Sequence, residues 1–541
     1  MPAFTSREQR GAWLCFLAIL FMAIAWMAVL PPFEGMDEAG HYASIREIAS
    51  AHRLPMMAES RLPQEVTDYA RLAPLPYNST DINQAGNAQF GGMSYPLFFA
   101  TSDNSNTYKK MFRAPAARRD YVQSDIDNWE AQHPPLYYLL MTPVMLATDS
   151  LPLVSQFLVL RFVSFVLALS GMVIALRASL RINIIYKKYM LSGLLLYPLI
   201  VPVYIQEFAR LGNDSLCLML TGVLWAALLR WHDRPHDTKS NLTLGIVFAL
   251  GLLTKALFLP MLAGFIIMRV HQFWRDRRDN KRCRFHIQAL KAFILPVMFA
   301  GLWYVQRLKA FGTLAGGLDE AFLAQHGGLW RGLVEHFTVY GFARQIAVTA
   351  LTWLWGGTAS QITFGSIWVV PLLVLNGILV AAAFIGQKNR DMRLQYPLWL
   401  YAGLLVGLFY FELACVALKG VDRAPGWYMN IMLPFAGLIY AAGLQTLRRY
   451  RVLHGLCTAL IIYGGLFALA NMWANIALFT GCAVPDADWD YQFLGLNFCF
   501  DNVGLIFDRL SVIAWPQLSL TALLAAIVCG TTGAKCLVHE N

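Results

Sequence analysis

Residues 11–42 read GAWLCFLAILFMAIAWMAVLPPFEGMDEAGHY, an apolar run long enough to span a bilayer that opens directly onto two prolines and two adjacent acids. The run 11–30 is longer than the core of a signal peptide, and no small-residue cleavage site follows it, so it reads as an uncleaved first helix. Arg7 and Arg10 precede it and place the N-terminus on the cytoplasmic side. Asp37 and Glu38, at the far exit of this helix, are costly to keep in lipid and should face water or a substrate. If a helix starts near residue 36, His41 lies four residues after Asp37 and three after Glu38, with its imidazole near both on one face. Adjacent helical residues diverge by about 100°, so only one acid can aim at a common reacting atom. The other then orients it, ligates a metal or serves as a helix N-terminal charge. Simple capping of an interfacial helix is the competing reading.

Composition fixes the class. Hydrophobic residues make up 57% of the 541 and charged residues 14%, against about 25% charged in ordinary soluble chains, and the mean hydropathy is +0.48. This is the profile of a polytopic membrane protein. Its net charge of +10 comes mainly from short loops, where it reports orientation and anionic lipid rather than nucleic acid. No Gly-rich nucleotide fingerprint, Cys-x-x-Cys, His-Glu-x-x-His or internal repeat is evident.

Placing the basic loops 177–188, 230–239, 275–284, 388–393 and 448–451 on one side predicts about twelve crossings with both termini cytoplasmic. The external segments are then 31–133, 307–345 and 479–510. In the first, 42–53 is expected to be an interfacial helix, 79–106 irregular, and 108–119 a basic run that is either solvated or rests near anionic headgroups or anionic substrate, solvation being the favoured reading. The stretch 134–147 is short for a span and by parity reads as a surface or half-inserted helix. Residues 190–206 read as one span, 242–268 as a tight pair of short helices with Lys255 near its outer bend, 346–364 as a re-entrant piece, and 511–528 as the last span. Arg161 falls inside the second span, where a cation normally pairs within the bundle. Arg210, Lys255 and Arg423 fall on the side of Asp37, where cations can grip a phosphate, although snorkelling explains each singly. Of nine cysteines only Cys482 and Cys499 fall in an external loop, and an oxidising compartment would favour a disulfide between them.

Several elements recur together and in order: Asp37-Glu38 with His41, Pro134 to Tyr138 (Pro-Pro-Leu-Tyr-Tyr), Arg161-Phe-Val-Ser, Asn213-Asp214-Ser, Leu253-Thr254-Lys255, and Gly426-Trp427-Tyr428 ahead of Pro434. This series resembles the GT-C glycosyltransferases, closest to bacterial protein mannosyltransferases, lipid A aminoarabinose transferases and a related bacterial membrane-protein group. The resemblance implies an all-α, GT-C-like bundle of about twelve helices in the bacterial inner membrane, with interfacial helices in the long first external loop. It also implies transfer of a sugar at the outer face from a polyprenyl-phosphate donor to a glycan, lipid or protein acceptor. The presumed catalytic acid carries over to Asp37, with Glu38 beside it. The donor phosphate falls to Lys255, Arg210 and His133, with Arg423 a weaker candidate, and His41, Tyr42, Tyr137, Asn213 and Asp214 support them. Two departures stand out: His133 occupies a position that is often Lys in aminoarabinose transferases, and Trp427 stands where relatives often have Arg.

The chemistry suits these residues on its own terms. Transfer from a lipid phosphate passes through an oxocarbenium-like state, needs a carboxylate base opposite the leaving group, and profits from cations at the departing phosphate. A lipid-linked donor requires no nucleotide-binding domain. Asp37 and Glu38 could also hold a divalent ion. A lipid-linked sugar flippase, with ionisable groups at mid-membrane, and a non-catalytic glycan-assembly partner are the alternatives.

Overall fold

The computed structural model describes residues 6–74, 95–115, 120–182, 187–278, 287–312, 323, 325, 327–354, 366–386, 392–418, 426–482 and 502–538. They form an all-α membrane protein. Among the described residues nine helices are long and apolar enough to cross a bilayer, ten if one bent pair counts as a span, and Leu136–Ala147 and Thr238–Leu252 are shorter apolar helices. Long helices suit this composition because every backbone polar group is satisfied within the segment.

The helix Ser6–Val29 runs beside the last helix, Pro516–Val538. Trp515 N donates to Ala28 O at 2.7 Å and Ser519 Oγ to Ala25 O at 3.0 Å. A second tight crossing joins Leu153–Ser179 to Asp214–Asp233, where Gly171 and Gly222 bring the backbones together. A Cβ added at Gly222 would overlap the Gly171 carbonyl. Overpacking of that kind costs about 1–3 kcal/mol, so Gly222→Ala should lower the thermal midpoint of the purified protein, and an unchanged midpoint would show that the crossing yields freely.

Pairing between distant segments shapes the first long loop. Arg61–Pro63 pairs antiparallel with Gln123–Asp127, which returns residues 128–133 to the helix Glu38–Arg46. Asn128 seals the return: its N donates to Ser60 O at 2.9 Å and its Nδ2 to Ser44 Oγ at 3.0 Å. Arg46, fully buried, ties the same helix to its surroundings through Asp149 (2.6 Å), the Tyr42 hydroxyl (2.9 Å) and Glu65 (3.2 Å).

Several expectations need correction. Residues 190–206 are not one straight span: Lys188–Ile200 and Pro202–Phe208 meet at 79°, because Pro202 has no N–H with which to continue the first helix. Within 79–106 the described part is helical, over Tyr95–Phe99 and Ser102–Phe112, with Tyr108 buried rather than solvated. The last span starts at Pro516, after a separate helix Val503–Ile513. Arg307, expected to open a loop, is a buried residue of the helix Ile287–Phe311. The expected re-entrant piece begins as the helix Val339–Thr352, and the rest of it lies outside the described residues. As expected, 242–268 is a helix pair turning at residues 253–257, and 42–53 is largely helical as far as Ala51.

Candidate active site

The site gathers where Ser6–Val29 ends, Asp214–Asp233 begins and the loop segment 128–133 returns. The helix after the first span starts at Glu38, two residues later than the spacing argument assumed, and Asp37 is its N-cap with φ 60°. A left-handed backbone is uncommon for a residue with a Cβ, and such strain gathers at functional positions. It turns the two neighbouring acids to different fates.

Glu38 faces inward. It is completely buried and accepts from Arg161 Nε at 2.8 Å and Nη2 at 2.6 Å, from Leu211 N at 2.8 Å and from Gly35 N at 3.0 Å. Arg161 in turn donates to the Leu30 and Pro31 carbonyls. Both oxygens of Glu38 are thereby committed to holding the end of the first helix, the 209–213 loop and its own helix together.

Asp37 is half-buried, and its Oδ1 accepts from Trp129 Nε1 at 3.0 Å. Burial and the Glu130 charge push its carboxyl above the ordinary range, and Arg210, Trp129 and Lys255 pull back without cancelling the rise. Of the two acids that could hold a divalent ion, Glu38 has both oxygens on Arg161 and backbone donors, while Asp37 accepts from Trp129. Among the described residues no three His, Cys, Asp or Glu side chains are arranged to hold a metal ion.

His41 turns away from both acids of the pair. Its Nδ1 lies 3.1 Å from the Tyr138 hydroxyl and 3.2 Å from Glu130 Oε2. Burial holds this imidazole down at about 3, against the pull of Glu130, so it is neutral at physiological pH. Glu130 Oε2 also lies 3.2 Å from His133 Nε2. Burial pushes the Glu130 carboxyl up, but the His41 and His133 rings and the Lys255 ammonium more than reverse this. Sequence reasoning did not single out Glu130, which lies 93 residues along the loop from Asp37. The strand pairing that brings the two segments together leaves no local sequence signal.

The expected phosphate cations converge only in part. Lys255 Nζ donates to both oxygens of Asp214, at 2.8 and 2.9 Å, and sits 4.6 Å from the centre of the Tyr428 ring. Arg210 donates to Glu207, to the Met36 carbonyl and, at 3.3 Å, to Asp214. Two cations are thus matched by two carboxylates. Arg307, by contrast, is the only buried Arg or Lys without a carboxylate partner among the described residues. Its Nη2 donates to Ala131 O at 3.2 Å, its guanidinium lies 4.6 Å from the Trp303 ring centre, and its Nη1 has no hydrogen-bond partner among the described residues. A cation close to the C-terminal end of the apolar helix Ile287–Phe311 is the signal that could have found it.

The supporting residues divide. Tyr137 hydrogen-bonds Ser164 at 2.9 Å and packs edge-on to His41, while Tyr42 belongs to the Arg46 network. Asn213 is fully buried, and neither atom of its amide has a partner among the described residues. Arg423 and Cys499 lie outside the described residues. Cys482 is disulfide-bonded.

The family model described as "Predicted membrane protein (DUF2142)" matches residues 20–418. Among solved structures, ArnT from Cupriavidus metallidurans bound to undecaprenyl phosphate is similar, with a TM-score of 0.44 and 11% identity over 96% of this chain and 77% of that one. The Archaeoglobus fulgidus oligosaccharyltransferase in its apo form aligns with a TM-score of 0.33 and 12% identity over 86% of this chain and 55% of that one. No curated protein matches the sequence.

Proposed function

The chain belongs to the DUF2142 family of predicted membrane proteins, and we propose that it is a GT-C-like glycosyltransferase moving a sugar from a polyprenyl-phosphate donor to an acceptor hydroxyl. The observation that carries this reading is a half-buried, strained Asp37 whose carboxyl feels the Arg210 and Lys255 charges, next to a returning segment 128–133 whose Ala131 carbonyl takes the buried, carboxylate-free Arg307. In this reading Asp37 is the general base that takes the acceptor proton as its oxygen attacks the anomeric carbon. Glu38 is a positioning residue that fixes Asp37 through Arg161, not a second catalytic acid. Arg307 and His133 hold the donor phosphate. Lys255 and Arg210, already neutralised by Asp214 and Glu207, shape the site and stabilise charge that grows on the leaving group. The reaction is placed at the outer face of a bacterial inner membrane, with a glycan, lipid or protein acceptor.

The charge accounting makes Arg307 the test of this assignment. One charge-assisted hydrogen bond is worth about 1.5–3 kcal/mol, so Arg307→Met should weaken undecaprenyl phosphate binding by roughly tenfold to a hundredfold. Binding to nanodisc-embedded protein measures this directly. Unchanged affinity would mean that the phosphate is held elsewhere. Transfer of labelled sugar from polyprenyl-phosphate donors, tried one by one with the purified protein, tests the activity itself.

A further inference from the structure

His133 and Glu130 suggest more than phosphate anchorage. His133 Nε2 faces Glu130 Oε2 at 3.2 Å, leaving Nδ1 with no hydrogen-bond partner among the described residues. Its ring is stacked on His41, with centroids 6.5 Å apart and planes at 20°. It retains 14% exposure beside the otherwise closed Glu130, at 5%. Arg307 donates to Ala131, two residues before it. The charged and titratable groups of this cluster are Glu130 on its own segment, His41 on the Glu38–Arg46 helix with Tyr138 against it, Arg307 through Ala131, Lys255 on the 253–257 turn, whose charge reaches both His41 and Glu130, Arg210, whose charge reaches His41, and Asp37, which feels Glu130.

We infer that His133 is a proton donor to the departing phosphate, with Glu130 as the positioning residue that holds it as an imidazolium. This rests on the donor reading above. In the step, the bond between the anomeric carbon and the phosphate oxygen breaks and its electron pair stays on that oxygen. The acceptor oxygen bonds to the anomeric carbon and its proton passes to Asp37. The His133 Nδ1 proton passes to the phosphate, which leaves as the polyprenyl phosphate monoanion. Asp37 then releases a proton to solvent and His133 regains one. The chemistry favours His over Lys for this: an imidazole titrates near 6.5 and a lysine near 10.4, while a phosphate monoester takes its second proton near 6. The imidazolium can share its proton with the product phosphate, whereas an ammonium keeps its own.

Undecaprenyl phosphate bound to the full-length protein in nanodiscs, followed by its 31P resonance at about pH 7, reads this sharing. With the wild-type protein the resonance should lie between the dianion and monoanion positions. With His133→Lys it should move to the dianion position. With Glu130→Gln, which makes the imidazolium less stable, it should move further toward the monoanion. A dianion position in both wild type and His133→Lys would reduce His133 to a fixed anchor, and an unmoved resonance in Glu130→Gln would remove Glu130 from the step. Absence of bound undecaprenyl phosphate from the wild-type protein would instead overturn the lipid-phosphate reading itself.

Discussion

Asp37→Asn is expected to cut sugar transfer by about 10² to 10⁴, the usual cost of removing a positioned base, while the protein folds and binds undecaprenyl phosphate as before. The amide keeps the shape of the carboxyl and can still accept the Trp129 hydrogen bond, so no packing is lost. Glu38→Gln should behave in the opposite way. Its carboxylate accepts four hydrogen bonds, two of them from Arg161, and loss of its charge leaves a buried guanidinium uncompensated. Folded yield should therefore fall before any catalytic effect can be read. Transfer rates and melting curves measured on both variants separate the two roles, and near wild-type transfer by Asp37→Asn would refute the assignment. Because the Asp37 carboxyl is raised above its ordinary range and works as a base only when ionised, activity should be lost on acidification at a pH above the usual carboxylate value of about 3.9.

Arg161→Met should be the most destabilising single change in the site. Breaking a buried ion pair by removing one partner costs about 3–5 kcal/mol, and here the Leu30 and Pro31 carbonyls also lose their donor. A large drop in the thermal midpoint of the detergent-solubilised protein is the expected result. A midpoint close to wild type would mean that the Glu38–Arg161 pair contributes little to stability. The double variant Glu38→Gln with Arg161→Met should recover part of the loss, since it removes both charges together.

How much of this could be read from the chain depends on how each residue is placed. The first helix, the acids at its exit and the Lys255 turn are local features, and hydropathy, charge placement and helix-pair length expose them. Arg161 was legible as a cation that must pair inside the bundle, and it does. Which acid it takes was not legible, because Asp37 and Glu38 look equivalent in sequence and are distinguished only by the left-handed turn at Asp37. Glu130 reaches the site only through pairing between segments some sixty residues apart. Arg307 was obscured by a misplaced helix end, since the helix runs on to Phe311. The break at Val201–Pro202 hides in the sequence behind apolar length, which outweighs the signal of Pro198 and Pro202.

The central claim is sugar transfer from a lipid phosphate, and the most direct measurement is single-turnover transfer by purified protein in proteoliposomes loaded with a radiolabelled polyprenyl-phosphate sugar. The account predicts label in a new acceptor product, release of free polyprenyl phosphate in equal amount, and loss of both with Asp37→Asn. Label that crosses the bilayer still attached to its lipid, with no product formed and no effect of Asp37→Asn, would contradict it.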